Sequence, residues 1–179
     1  ATTAIATDLM ARKNSHVFAI IGTGAQSEFL ANSMTLVRDI IEVRYFDIDP
    51  VAMDKFENNM KSNPFTLVRC SDAEEAVRGA DIVTTCTACK AHVDVLKDSW
   101  IRAGVHINGI GGDSAGKTEL EFSILARSRI VVEYFDQCVI EGEIQRFSKE
   151  EAKGKVHAEL HELIRGEKSG RGSKTDITL

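Results

Sequence analysis

The chain has 179 residues, 43% hydrophobic and 27% charged, with 13 Gly and only 2 Pro, a balance that excludes collagen-like, mucin-like and disordered classes and suits one domain with its own core. A net charge of −5 argues against nucleic-acid binding, which needs a basic face. No apolar run approaches the roughly 20 residues of a membrane span, and 4 Cys suit a reduced, cytoplasmic protein better than a disulfide scaffold.

Ala4, Ile5, Leu9 and Met10 are spaced for one face of a helix, closed by the polar run 12–15. His16 to Ile21 is a short apolar, β-rich run that stops at Gly22-Thr23-Gly24. Residues 25–39 predict a helix with Phe29, Leu30, Met34 and Val37 turned inward. A second strand is expected over 42–46, ending at Asp47, and Pro50 pre-sets the first turn of a helix running to Lys61. A strand over 65–68 follows, and Ser71 with Glu74 resembles a capping box for a short helix. Further strands are expected over 81–86, 105–110 and 129–134, and helices over 118–127 and 148–165.

Strands alternating with helices give an α/β class with a doubly wound, mostly parallel sheet. The expected division is a helix entering the domain over 1–15, a Rossmann-type domain over 16–165, and an exit linker with the start of a strand over 166–179. Neither end shows a cap or a polar tail, so the chain reads as a piece of a longer protein.

Two glycine motifs compete for a phosphate. Gly22-Thr23-Gly24-Ala25-Gln26-Ser27 sits between an apolar strand and a helix, where a tight turn and a bare backbone let a pyrophosphate reach free N–H groups. Asp47, at the end of the next strand, is placed to accept hydrogen bonds from ribose hydroxyls, and with Asp49 nearby it favours NAD over NADP. Gly111 to Thr118 matches the P-loop pattern, with Lys117 and Thr118 as its phosphate and magnesium residues. Against that reading, Asp113 would stand as like charge inside the cradle. The same loop also fits a catalytic role, with Asp113 and Lys117 beside a nicotinamide, Asp113 holding an ammonium group or moving a proton. The plainer alternative has Asp113 capping the next helix. Cys86 and Cys89 read as ordinary thiols, and His157 and His161 as a polar flank of the last helix.

The stretches 22–29, 45–50, 85–88, 106–113, 116–120, 132–134, 141–144 and 162–166 together resemble the ornithine cyclodeaminase/μ-crystallin family, in order along the chain. The resemblance implies a redox-neutral, NAD-dependent reaction. A hydride leaves the α-carbon of L-ornithine for NAD, the δ-amine closes on the imine, ammonia leaves, and the returning hydride gives L-proline. It implies Asp113 as catalytic acid/base, and Gly22, Thr23, Gly24, Ala25, Gln26, Asp47, Thr87, Ile107, Asn108, Gly109, Ile110 and Lys117 as dinucleotide contacts. No metal is implied, and the full enzyme would be a homodimer. Amino-acid dehydrogenases and ketimine reductases of the same family are the near alternatives; the μ-crystallin-like reductases lack this Asp. The family's substrate-binding and dimerising half has no counterpart in these residues, so the chain is expected to bind NAD and not to turn over ornithine alone.

Overall fold

A computed structural model describes residues 1–179. Its centre is a five-stranded parallel sheet of β1 (Val17–Ile21), β2 (Glu42–Phe46), β3 (Thr66–Arg69), β4 (Ile82–Thr85) and, after the outlying β5 (His92–Leu96), β6 (His106–Gly109). The order is β3-β2-β1-β4-β6, all parallel, as a doubly wound fold requires. The chain builds outward from β1 through β2 and β3, then crosses back to β4 on the other side.

Along β1 the side chains alternate between two cores. Phe18 and Ile20 pack with Tyr45, Phe56 and Met34 on one face, and Ala19 and Ile21 pack with Val83, Ile107 and Leu120 on the other. The first face is covered by α1 (Thr2–Met10), α2 (Ser27–Thr35) and α3 (Pro50–Met60). The opposite face holds α4 (Ala73–Val77), with Asp72 rather than Ser71 as its cap: the Asp72 carboxylate accepts from the Glu75 N–H at 2.8 Å. The inward stripe of α2 is Ser27, Leu30, Ala31 and Met34. Phe29, expected inside, is 77% exposed, because the helix begins at Ser27 and turns that position to solvent.

Two expected helices lose part of their span to strands. Residues 118–120 form a strand, β7 (Thr118–Leu120), which pairs with β5 and leaves only α5 (Phe122–Arg127) helical. The span 148–165 is broken by a strand. After β8 (Ile130–Val132) and the one-turn α6 (Phe135–Cys138), α7 (Lys149–Lys155) starts on a capping box of Ser148 and Glu151. The chain then extends as β9 (Val156–Glu159) beside β8 before α8 (Leu160–Ile164). Gly154 weakens the helix, and the open edge of β8 offers the next residues a ladder.

The segment 166–179, expected as a linker and the start of a strand, lays its last residues against the sheet. Thr178 bridges both His106 and Arg129, so the last residues fill the gap between β6 and β8. Ile107 and Val131 donate their N–H groups to Thr178 and Leu179 at 2.8 Å each. Unpaired strand edges on both sides supply the driving force. At the other end α1 is held by Arg38, whose buried guanidinium donates to the carbonyls of Thr7, Asp8 and Ala11 at 2.8–2.9 Å. These carbonyls lie in the last turn and C-cap of the helix, where intrahelical partners run out; that of Thr7 also takes the Ala11 N–H. No helix is long and apolar enough to cross a membrane.

Candidate active site

The register sets the site. Ile21 lies beside Phe46 and Thr85, and Thr85 beside Gly109, so four strands end at one level. The residues that follow, Gly22, Asp47, Cys86-Thr87 and Ile110, therefore share one edge. The winding reverses between β1 and β4, the place where doubly wound sheets bind ligands.

Gly22 has φ +98°, and a Cβ there would lie 2.7 Å from the Cys86 carbonyl oxygen. Gly24 is the opposite case: a Cβ there meets nothing within 4 Å. The N–H groups of Gly24, Ala25 and Gln26 have no acceptor within the protein, and all three residues are exposed. An anion laid against this turn would find free donors and the positive end of α2. Ser27 takes the place of the motif's third glycine; it is fully buried and its hydroxyl donates to the Gly24 carbonyl at 2.7 Å.

Asp47 supports the same turn. Its Oδ2 accepts from the Thr23 N–H at 2.6 Å and the Thr23 hydroxyl at 3.1 Å, and its Oδ1 accepts from the Asp49 N–H at 3.0 Å. A carboxylate has about four acceptor positions, so one stays open for a ribose hydroxyl. The donor set and the open cradle thus fit a dinucleotide.

The loop after β6 is not a P-loop. It leads into β7, not a helix, so the helix terminus that would hold phosphates is missing. For the same reason Asp113 caps no helix. The Lys117 side chain is 6% exposed, and its ammonium donates to the Thr87 carbonyl at 2.9 Å and to Asp113 Oδ1 at 3.0 Å. Lys117 thus ties the β4 loop to the β6 loop, while the Asp113 side chain is 69% exposed. Gly109 and Ile110 are half-buried at the strand end. Ile107 and Asn108 lie within β6 with buried side chains; Asn108 is engaged by Thr7, Thr84 and His106.

Two buried carboxylates behind this loop carried no signal of their own in the sequence beyond their place in the family stretches. Glu119 accepts from the Thr87 N–H at 2.9 Å and from its hydroxyl. Glu143 accepts from the N–H groups of Glu119 and Leu120 at 2.8 and 3.0 Å, and burial pushes its carboxyl up to about 7.

A cavity of about 380 Å³ opens beside β6, between α1 and the turn at 141–144. Gly109, Ile110 and Asp113 are on its wall. Its charged lining consists of Asp113, Glu133, Glu141 and Glu143, with no Lys or Arg. Such a wall attracts an ammonium group and repels a carboxylate.

The remaining candidates are accounted for by local contacts. All four cysteines are free, and burial pushes the Cys86 thiol up to about 12, away from reactive thiolate. His157 lies on β9, against Arg129 and the Ser169 carbonyl, while His161 lies on α8 beside Glu159.

The sequence model of the ornithine cyclodeaminase/mu-crystallin family matches residues 1–179. The chain belongs to this family. The ornithine cyclodeaminase of Brucella abortus is 46% identical over 179 residues, covering 100% of this chain and 49% of that protein. Among solved structures, an archaeal alanine dehydrogenase dimer with bound NAD superimposes with a TM-score of 0.90 at 37% identity, over 98% of this chain and 54% of the other. The Δ1-pyrroline-2-carboxylate reductase of Thermococcus litoralis, in complex with NADH and L-proline, gives 0.87 at 32% identity, over 99% and 57%. The chain thus spans about half the length of the curated family members it matches. Its parallel sheet and covering helices are the Rossmann-type domain of these cyclodeaminase-family enzymes.

Proposed function

We propose that this chain is the NAD-binding half of an ornithine cyclodeaminase. The observation that carries the reading is the single sheet edge that joins an open anion turn at Gly24 to a cavity with only acidic charge. The similarity to ornithine cyclodeaminases at 46% identity supports the substrate, and the NAD and NADH complexes of related structures support the cofactor.

In this reading Gly22 to Gln26 receive the pyrophosphate and Asp47 the adenosine ribose. Thr87, Gly109 and Ile110 frame the nicotinamide end, with Ile107 and Asn108 holding that strand end from below. Bound there, NAD supplies a reversible hydride acceptor for the substrate's α-carbon. Asp113, exposed on the cavity wall, holds the side-chain amine and moves its proton during ring closure. Lys117 fixes the Asp113 carboxylate and the Thr87 carbonyl together. The cavity wall offers no cation for the substrate's carboxylate. We assign that task to the half of the enzyme outside this chain, with the whole protein working as a homodimer.

The same scaffold serves an alanine dehydrogenase and a pyrroline-carboxylate reductase, so net amino-acid oxidation is the second reading. Assaying the intact gene product with L-ornithine, L-lysine and L-alanine separates them. We expect proline and ammonia from ornithine with no net NADH, and a turnover loss of about 10²–10⁴-fold in Asp113→Asn, the usual worth of a general acid/base. Net NADH from alanine would establish the dehydrogenase reading instead. Unchanged ornithine turnover in Asp113→Asn would remove Asp113 from the mechanism.

A further inference from the structure

Glu119 touches each of the loops that frame the nicotinamide end of the proposed site. Its side chain is fully buried. One oxygen takes the Thr87 N–H and hydroxyl, while the other, Oε2, is buried with no partner. A Cβ built on Gly111 would lie 1.7 Å from Oε2, so the carboxylate occupies the space of a side chain at residue 111. On the far side, the Thr87 nitrogen that Glu119 holds lies 3.0 Å from a Cβ built on Gly22. One carboxylate therefore fixes the loop after β4, which abuts the turn after β1, and lies flat against the loop after β6.

Stability alone is a poor reason for this arrangement. A buried carboxylate with one oxygen unsatisfied costs more than a neutral filler of the same volume. Holding the Thr87 N–H and hydroxyl requires an acceptor of this length at this point.

We propose that Glu119 is a positioning residue for the nicotinamide end of the dinucleotide: it sets the spacing between Thr87 and the Gly111-Gly112 turn. The inference rests on the NAD reading above. Glu119 acts through Thr87 and Gly111, not by touching the cofactor.

The test is titration of the 179-residue chain and its Glu119→Ala and Glu119→Asp variants with NAD and with ADP-ribose, which lacks the nicotinamide. Glu119→Asp keeps the charge and withdraws the acceptor from Thr87, so it serves if the alanine variant does not fold. Both variants are expected to bind NAD at least about tenfold more weakly while ADP-ribose binding changes less than about threefold, tenfold being about 1.4 kcal/mol. Unchanged NAD binding in a folded variant, or equal loss of both ligands, would overturn the role of Glu119 and leave the NAD reading intact. An unaltered chain that binds neither ligand would overturn both.

Discussion

Replacing Gly22 by alanine is expected to weaken NAD binding by about 100-fold or more, equivalent to about 2.8 kcal/mol, and to lower the melting temperature as well. The methyl group would lie 2.7 Å from the Cys86 carbonyl oxygen and 3.0 Å from the Thr87 nitrogen. Both are backbone atoms, so neither can swing aside, and forced overlaps of this kind typically cost about 1–3 kcal/mol. The φ of +98° adds a second penalty for any L side chain. Relief would come from parting β1 and β4, where the proposed site lies. Gly24→Ala is the control, because the new methyl meets nothing within 4 Å. That variant should melt as the unaltered chain does and still bind NAD more weakly, since only the arriving pyrophosphate would meet the methyl. Thermal melts paired with NAD titrations check both expectations. Gly22→Ala with undiminished NAD binding would show that the turn does not carry the dinucleotide.

His106 should make the fold lose stability in acid. It is buried in β6, its Nδ1 2.9 Å from the Thr178 hydroxyl and its Nε2 3.1 Å from Asn108 Oδ1. Asn108 spends its amide hydrogens on Thr7 and Thr84, so it can only accept from His106. The ring is thus neutral with its proton on Nε2, an assignment from the hydrogen-bond network. Burial pushes it down to about 3, against an ordinary value of 6.5. Below pH 6.5 the unfolded chain takes up a proton that the folded chain refuses, so stability contributed by His106 falls as the pH drops from 6.5 towards 3. Glu143 works the other way: its carboxyl is raised to about 7 from 4.5, so its contribution is full below pH 4.5 and is lost as the pH rises to 7.

The two slopes oppose each other in the unaltered chain, and His106→Gln should uncover that of Glu143. Between pH 6.5 and 4.5 the variant should gain about 2 kcal/mol relative to the unaltered chain, since a full proton of difference is worth about 1.36 kcal/mol per pH unit. Urea unfolding of both proteins at the two pH values measures this directly. Parallel pH profiles would mean that His106 is not held neutral in the fold.

The doubly wound sheet was legible in the sequence because short strand-like stretches alternate with helical patterns: β1 is an apolar run that stops at Gly22, and β2 alternates charged and apolar residues before Asp47. The two-stranded pairings outside the central sheet were harder to read. Thr118 to Leu120 and Val156 to Glu159 become strands because β5 and β8 lie beside them, and local pattern carries no record of such a neighbour. Thr178 is the same case, a polar residue whose backbone completes the ladder between His106 and Arg129. In the site, the turn at 22–26 and Asp47 could be read from spacing. Lys117 could be found but not understood, since only the fold shows its ammonium bridging Thr87 and Asp113. Glu119 was hidden because a buried carboxylate in a strand looks, in sequence, like a surface residue.

The central claim is that the sheet edge from Gly22 to Asp113 is a site for NAD. Isothermal titration of the 179-residue chain with NAD, NADP and ATP–Mg²⁺ tests it most directly. The expected result is saturable one-site binding of NAD, with NADP at least about tenfold weaker through repulsion from Asp47 and Asp49, and no binding of ATP–Mg²⁺. Failure to bind NAD, or a preference for ATP–Mg²⁺, would contradict it.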